Sequence, residues 1–269
     1  MGRTRQPEDP FRIATEALAG RATRWQNLGL WRGTEDYDTA CEALAVAVGE
    51  AARLGPGDKL VELACGAGAA FPLWQRRFGV TDIIGLEVDA GRAARASELG
   101  RVLTGPAIVD GQLVGLQAVD AFDRFDAVVC VDAAYHLGSA SALATASHAA
   151  LRPGGRLAFT TLTHAGSGSD EGEAGWVTRI AKLSDGAIQS QQAWSQTLEE
   201  TGFSEVTTTA LDEVLEGFVA HVGRRRWAGW LTPGWAKIEA TALLARLGHW
   251  SGTLDYTLVS ATRGPDKAP

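Results

Sequence analysis

A glycine-rich turn between two acidic residues is the part of this sequence with the clearest chemical meaning. An apolar run passes through Glu62 and leads into a turn that contains Gly66 and Gly68, and a helical pattern follows. Glycines at such a strand-to-helix turn allow the backbone to approach a bound ligand closely. Glu87 lies about 20 residues further on, at the end of the next apolar run, where a carboxylate can accept hydrogen bonds from ribose hydroxyls. The spacing predicts a nucleoside-binding site.

The charge and shape of the turn distinguish between two common nucleoside ligands, NAD and S-adenosylmethionine (SAM). A dinucleotide turn cradles a pyrophosphate and needs a third small residue, but Phe71 and Pro72 stand at that place. Glu62 would also repel a pyrophosphate, whereas it would attract the ammonium and sulfonium groups of SAM. The sequence therefore favours SAM.

Two histidines that follow predicted strands are candidates for a proton acceptor. Methyl transfer from a sulfonium is an in-line displacement, so positioning of the acceptor can supply much of the rate and a base is optional. Where the acceptor is a hydroxyl or an activated carbon, histidine is the commonest base. His136 comes just beyond the fourth predicted strand and His164 ends the fifth. For both, packing or hydrogen bonding without proton transfer is the alternative.

The residues named above must be positioned by short apolar runs that alternate with helical patterns. The runs are KLVEL, TDIIGLEVD, PAIVD, FDAVVCVD and GRLAFTTL, and helices are predicted to begin between them near Ala69, Gly91 and Ser139. This alternation predicts an α/β fold, Rossmann-like and doubly wound, with a mostly parallel sheet. Such sheets bind ligands at the carboxyl ends of their strands, which is where the turn, Glu87 and the histidines fall.

Two further segments are predicted to enclose the site. Residues 1–55, with an amphipathic helix over 36–54, are expected to form an N-terminal helical lid in front of a SAM-binding domain at 56–269. The alternation stops at about 164–202, which predicts an inserted helical lid over the strand ends. Two more helices, one ending near Gly229 and one after Pro233, and a last strand follow, and the closing strands are expected to pair like a hairpin.

Composition limits the expected partners and location. The 269-residue chain carries a net charge of −7, which disfavours nucleic acid because lysine and arginine neutralise phosphates. No apolar run is long enough for a membrane span and the first residues do not resemble a signal peptide, so a cytoplasmic protein is expected. Three widely spaced cysteines predict reduced thiols and no metal site. The one basic cluster, residues 224–226, binds a substrate anion or, as is more usual, forms a solvated helix face.

The run VELACGAG, followed by GLEVD and LRPGGRLAF, resembles the class I SAM-dependent methyltransferases over about residues 25–163. The resemblance implies that Glu62, Gly66 and Gly68 form the family's first motif and that Glu87 binds the ribose. It also implies an adenine contact at Asp110 and Gly111, although the family often has Asp-Ala there with Leu-Pro soon after. The other residues expected in the cofactor site are Ala64, Val88 and Val131.

Two more segments resemble small-molecule methyltransferases of the tocopherol, sugar and terpenoid types. Those enzymes often have an aromatic residue and a histidine after the fourth strand, as Tyr135 and His136 are here, and an NLGYW-type segment ahead of the core, as residues 27–31 are here. The resemblance implies that Tyr135, Trp25 and Trp31 contact the acceptor. Ordinary packing is the alternative for the two tryptophans.

These features together predict an enzyme, a SAM-dependent methyltransferase that methylates oxygen or carbon of a small, fairly apolar acceptor by in-line displacement. It is expected to use no metal and to bind a small molecule, with a homodimer as one possible assembly. A non-catalytic SAM-binding regulatory module and an NAD-dependent oxidoreductase are the alternatives from other classes. A methyltransferase for protein or RNA is a further alternative, which the lack of basic surface disfavours.

Overall fold

The computed structural model describes residues 15–109, 111–113, 125–164 and 186–265. The strands in these ranges are β1 (Lys59–Leu63), β2 (Asp82–Glu87), β3 (Arg101–Thr104), β4 (Ile108–Val109), β5 (Gln112–Leu113), β6 (Phe125–Cys130), β7 (Leu151–His164), β8 (Gln189–Ser190), β9 (Phe203–Ala210) and β10 (Leu254–Arg263). The helices are α1 (Thr15–Ala19), α2 (Tyr37–Ala51), α3 (Phe71–Phe78), α4 (Ala90–Ala96), α5 (Ala140–Ala150), α6 (Gln191–Thr201), α7 (Asp212–Gly229) and α8 (Trp235–Trp250). A 3-10 turn covers Ala134–His136.

The main sheet has the strand order β3-β2-β1-β6-β7-β10-β9, and the short β8 pairs with β7. Five strands, β3, β2, β1, β6 and β7, run parallel to one another, while β10 is antiparallel to both β7 and β9. This arrangement confirms the predicted Rossmann-like fold with a mostly parallel sheet. Since β1 pairs with β2 on one side and β6 on the other, the order reverses there, and open α/β sheets bind ligands at such a switch point.

Helices cover both faces of the sheet, which is why the central strands are continuous apolar runs. On one face, α2 and α3 bring Val48 and Trp74 against Val129 of β6. On the other, α5 and α6 bring Leu143 and Leu198 into a second cluster. All five side chains are at most 1% exposed, so the sheet that carries the site is held from both sides.

The antiparallel strands β9 and β10 are joined by the α7–α8 helical pair instead of a short turn, and we call this pair the helical hairpin. It packs on α1 and on the segment ahead of α2. A third apolar cluster forms there. Its side chains come from the buried side of the helical hairpin, from the N-terminal segment with α2, and from β10, and they include Leu30, Tyr37, Phe218, Ile238 and Tyr256. We call this cluster and the elements that form it the cap.

The predicted insertion at 164–202 is only partly described. Its later part forms β8 and α6, and residues 165–185 lie outside the described ranges. Of the helices that the structure describes, none combines the length and the apolar character that crossing a membrane requires.

Candidate active site

The turn after β1 takes three left-handed backbone steps within five residues. Ala64, Gly66 and Gly68 have φ values of 51°, 59° and 74°, and alanine is rare in this region because its Cβ approaches the following carbonyl oxygen. A Cβ on Gly68 would lie 3.0 Å from both Cα and Cβ of Ala96, so glycine permits α4 to pack closely there. At Gly66 the nearest atom to such a Cβ would be Oε1 of Gln26, at 3.0 Å. The turn therefore presents its backbone toward the N-terminal segment.

Glu87 ends β2 beside this turn, and its carboxylate is 3% exposed. Its Oε2 accepts a hydrogen bond from the Gly66 N–H at 2.9 Å, and its Oε1 accepts one from the Asp89 N–H at 2.9 Å. Arg92 of α4 donates to the same Oε1 from Nε at 3.1 Å and from Nη2 at 2.9 Å. A ribose diol that bound Glu87 would take the place of a donor such as Arg92, which the sequence analysis did not single out.

Glu62 is buried in β1, two residues before the turn begins at Ala64, and it faces α3. Its Oε2 accepts a hydrogen bond from the indole Nε1 of Trp74 at 2.7 Å. Burial raises the pKa of Glu62 to about 8, and the bond from Trp74 offsets only part of that rise. Without a ligand the carboxyl group is therefore mostly neutral at pH 7. A cation placed beside it would favour its ionised form, so this position fits a positively charged ligand.

The other expected cofactor residues lie around the same strand ends. Val88 follows β2 and is 58% exposed. Gly111 has φ 71° in the turn between β4 and β5, whereas Asp110 lies outside the described residues. Val131 follows β6 and packs, half-buried, against the cap and against the α2–α3 side of the sheet. The exposed apolar side chain of Val88, next to buried Glu87, is available to pack against a flat ring of a bound ligand.

Asp132 joins the end of β6 to the cap, and the sequence analysis missed it. It is buried with a φ of 57°. Its Oδ2 accepts a hydrogen bond from the Leu28 N–H at 2.7 Å, and its Oδ1 accepts from the hydroxyls of Tyr135 at 2.9 Å and Tyr256 at 2.6 Å. Burial raises the pKa of Asp132 to about 6, although these donors lower it in part. Its position directly after a buried strand was the available indication in the sequence.

Thr160 of β7 also belongs to this hydrogen-bond network. Its Oγ1 accepts a hydrogen bond from the Asp132 N–H at 2.8 Å and lies 3.0 Å from the Tyr256 hydroxyl. Since the single tyrosine proton is directed to Asp132, the threonine hydroxyl donates to the tyrosine oxygen. Three strands, β6, β7 and β10, are thereby linked at the edge where the ligand is expected.

Residues 23–31, which we call the strap, cross the site between the glycine turn and Asp132. At one end, Arg24 donates from Nη1 to the carbonyl oxygens of Ala67 at 3.2 Å and of Arg95 at 2.6 Å. At the other end, the Leu28 N–H donates to Asp132. The strap therefore covers the carboxyl ends of both β1 and β6.

The two tryptophans expected to contact the acceptor belong to this strap. Trp25 is half-buried and packs against the cap and the α2–α3 side of the sheet. Trp31 is 9% exposed and donates its indole N–H to the Leu28 carbonyl at 2.8 Å. Its ring fills the space beside Gly217 of α7, where a Cβ would lie 2.2 Å away. The strap and the helical hairpin are thus fitted to each other at this point.

The two candidate histidines differ in their surroundings. His136 lies in the 3-10 turn, with its ring centroid 4.4 Å from that of Tyr135. Part of its surface is exposed, but partial withdrawal from water, together with the charge of Arg92, lowers its pKa, so the ring is neutral at pH 7 and can accept a proton. His164 lies on β7, five residues beyond Phe159, which pairs with Cys130 at the end of β6. It is therefore about 16 Å from the end of β6, measured along β7.

A third histidine, His221 of α7, is buried inside the cap. Its ring centroid lies 4.5 Å from that of Trp31 and 6.0 Å from that of Tyr37. Nε2 lies 2.9 Å from the Leu18 carbonyl, so it carries the proton, and Nδ1 has no hydrogen-bond partner among the described residues. Burial lowers the pKa of His221. It therefore presents an unused acceptor atom in apolar surroundings. The sequence analysis did not select it, because only the fold brings it to the strap.

Among the residues that the structure describes, no group of histidine, cysteine and acidic side chains is arranged to hold a metal ion. The three cysteines, Cys41, Cys65 and Cys130, are buried free thiols.

Comparisons with known proteins agree with this geometry. A family model described as a methyltransferase domain matches residues 35–216, which is more than half of the chain. No curated protein matches the sequence. The family uses SAM as its methyl donor, which confirms the predicted cofactor at the level of the family.

Several solved structures share the fold. One from Galdieria sulphuraria, described as a sarcosine dimethylglycine methyltransferase, has a TM-score of 0.72 and 18% identity, covering 93% of this chain and 97% of the other. The cyclopropane synthase MmaA2 from Mycobacterium tuberculosis has a TM-score of 0.68 and 17% identity, covering 88% and 89%. Geranyl diphosphate C-methyltransferase from Streptomyces coelicolor A3(2), solved with S-adenosyl-L-homocysteine, has a TM-score of 0.61 and 16% identity, covering 83% and 76%.

At these identities the structural likeness shows the fold, and the family model adds the family. With the glycine turn, the acidic end of β2 and the strand order all in agreement, the chain belongs to the methyltransferase domain family, within the class I SAM-dependent methyltransferases.

Proposed function

We propose that the protein transfers a methyl group from SAM to oxygen or carbon of a small, fairly apolar acceptor that is enclosed beneath the strap and the helical hairpin. The observation that carries this proposal is the cap. Apolar side chains from the strap, α2, α7 and α8 pack together with residues at the ends of β6, β7 and β10, next to the strand ends that carry the cofactor motif. An acceptor bound under such an apolar cover would be a small molecule rather than a protein or nucleic acid segment.

The cofactor side of the site is assigned to the turn and to the ends of β2 and β6. Glu87 would accept hydrogen bonds from the ribose, and Glu62 would ionise beside the cationic amino acid part of the cofactor. The backbone of Gly66 allows close approach, and Ala64, Gly68, Val88, Val131, Asp110 and Gly111 complete the proposed set. When bound, SAM supplies a methyl group on a positively charged sulfur, which is activated for displacement. The chain then contributes chiefly orientation and exclusion of water.

The acceptor side is assigned to the strap, the 3-10 turn and α7. Trp25, Trp31 and Tyr135 would contact the acceptor, with Tyr135 oriented by its hydrogen bond to Asp132. Neutral His136 is the proposed proton acceptor or positioning group, and His164 is the second candidate. Nδ1 of His221 supplies one hydrogen-bond acceptor inside otherwise apolar surroundings. A methyl acceptor that carries one hydroxyl group on a mostly hydrocarbon body would match these groups.

We further propose that the first 55 residues act as a lid on the domain formed by 56–269. Its movable part would be the strap, which is attached to the core through Arg24 and Leu28, since α2 packs against the sheet. Backbone and side-chain hydrogen bonds of this number can break and re-form without unfolding the sheet. The solved neighbours support the choice of a small acceptor, since their descriptions name sarcosine and dimethylglycine in one case and geranyl diphosphate in another.

Calorimetric titration with SAM, S-adenosylhomocysteine and NADH tests the cofactor assignment. We expect selective binding of the two sulfur nucleosides and a loss of at least tenfold in affinity for Glu87→Ala. Glu205→Ala is the matched control, because Glu205 is an exposed carboxylate paired with Arg53 away from the site. Binding of NADH in place of SAM would overturn the proposal and favour an oxidoreductase.

A panel of small hydroxylated, mostly hydrocarbon compounds then tests the acceptor assignment. Formation of S-adenosylhomocysteine that depends on one compound class is the expected result. Tight SAM binding with no turnover on the whole panel would favour a non-catalytic SAM-binding module.

A further inference from the structure

The loop end of the helical hairpin exposes large apolar side chains. Trp227 is 89% exposed, Trp230 is 68% exposed and Leu231 is 82% exposed. All three lie within residues 222–238, which we call the hairpin tip. Single exposed apolar residues are common, but three adjacent large ones, two of them tryptophans, mark a surface that contacts something other than water.

The same hairpin tip is positively charged in an acidic protein. Residues 222–238 contain three arginines and one lysine with no aspartate or glutamate, while the whole chain has a net charge of −7. Arg226 is 3.0 Å from Glu239 and Arg224 is 3.7 Å from Glu35. Even when these two carboxylates are counted, the hairpin tip keeps a net positive charge.

We propose that the hairpin tip docks on the surface of an anionic lipid bilayer. Tryptophan side chains prefer the headgroup level of a bilayer, and neighbouring arginines and lysines are attracted to anionic lipids. A symmetric contact between two copies through this surface would instead bring like charges together. The acidic remainder of the chain is repelled by the same lipids, so only the hairpin tip approaches them.

Docking of this kind is peripheral, in agreement with the lack of a spanning helix among the described residues. The buried side of the helical hairpin, which includes Val222 and Ile238 at the two ends of the hairpin tip, contributes to the cap. Lipid contact through the hairpin tip would therefore hold the cap close to the bilayer surface. The inference stands on exposure and charge, and it does not depend on the proposed methyl transfer.

Co-sedimentation of the full chain with vesicles tests it. We expect binding to phosphatidylglycerol–phosphatidylcholine vesicles, much weaker binding to pure phosphatidylcholine, and weakening by salt. Trp227→Ser should lower the affinity roughly tenfold, the effect of returning about half of such a side chain to water. Arg224→Gln with Arg226→Gln should lower it roughly fivefold for each charge removed.

Two matched controls exist on other surfaces. Trp250 is 86% exposed, so Trp250→Ser removes an equally exposed tryptophan outside the hairpin tip. Arg76→Gln with Arg77→Gln removes two exposed arginines that are also paired with carboxylates. Both controls should bind vesicles like the wild type.

Three results would overturn the inference. These are no binding of the wild type to anionic vesicles, equal losses in the control variants, and a Trp227→Ser variant that changes the sedimentation mass of the protein but not its vesicle binding. The last result would assign the hairpin tip to contact between copies of this chain.

Discussion

The glycine turn and the cap are built in different ways. The turn and its acidic partner come from one continuous stretch, residues 62–87, and depend on backbone conformation and on the packing of α4 against Gly68. The cap joins the strap to the helical hairpin, segments almost 200 residues apart, through contacts such as that between Trp31 and His221. We infer that the first region is specialised for a constant cofactor and the second for a particular acceptor.

If the turn is adapted to a cation, Glu62→Gln should stabilise the free protein and weaken SAM binding. The folded-state pKa of Glu62, about 8, lies above its ordinary value of 4.5, so the wild type loses stability as the pH rises from 4.5 to 8. Glutamine keeps an acceptor for Trp74 and removes this loss, a gain on the order of 4 kcal/mol at pH 8. Urea unfolding at pH 5 and pH 8 measures it. A variant no more stable than the wild type at pH 8 would contradict the prediction.

Crowding at the turn can be separated from backbone strain by comparing two glycines. Gly68→Ala combines a positive φ with a Cβ 3.0 Å from Ala96, while Gly57→Ala has a positive φ and open space around it. We expect the free energy of unfolding to fall by about 3 kcal/mol in the first variant and by about 1 kcal/mol in the second. SAM affinity should fall only for Gly68→Ala. Equal losses in both variants would show that close packing against α4 is unimportant.

If His136 accepts a proton, His136→Gln should lower kcat roughly a hundredfold and leave SAM affinity unchanged. Because its pKa is lowered, the wild-type kcat should rise with pH through a value below 6.5, and this step should be absent from the variant. Initial-rate measurements across pH provide the test. A pH profile that keeps the step in His136→Gln would assign the histidine to positioning alone.

Loss of the bond between the strap and the core should affect the cap and spare the turn. Asp132→Asn leaves a single acceptor oxygen for the Leu28 N–H and two tyrosine hydroxyls, so we expect the strap to open more readily at Leu28. The folded-state pKa of Asp132 is raised to about 6 from 3.8, so the wild type loses stability between these pH values and the variant should not. Amide hydrogen exchange at Leu28 is the direct measurement. Unchanged protection at Leu28 would exclude Asp132 as the attachment point.

The sheet and the turn were predictable because their information is local. A strand such as β1 is a short apolar run, and the left-handed steps at Gly66 and Gly68 call for glycine in the sequence itself. The alternation of strands and helices then fixes a parallel sheet and the edge at which ligands bind.

The cap was less predictable because its contacts are distant in sequence. Asp132 receives hydrogen bonds from Leu28 and Tyr256, 104 and 124 residues away, and no spacing rule connects such residues. The sequence also suggested a negative charge at Glu62, but burial against α3 keeps that carboxyl mostly neutral without a ligand. Ionisation depends on surroundings that only the folded chain supplies.

The separation of cofactor binding from acceptor choice is tested most directly by one pair of dissociation constants. S-adenosylhomocysteine is titrated into Glu87→Ala, changed at the turn, and into His221→Ala, changed in the cap. We predict a loss of at least tenfold in the first variant and a change of less than about twofold in the second, since one buried carboxylate bond to a ligand is worth about 1.5 kcal/mol or more. Equal losses in both variants would contradict the division between turn and cap.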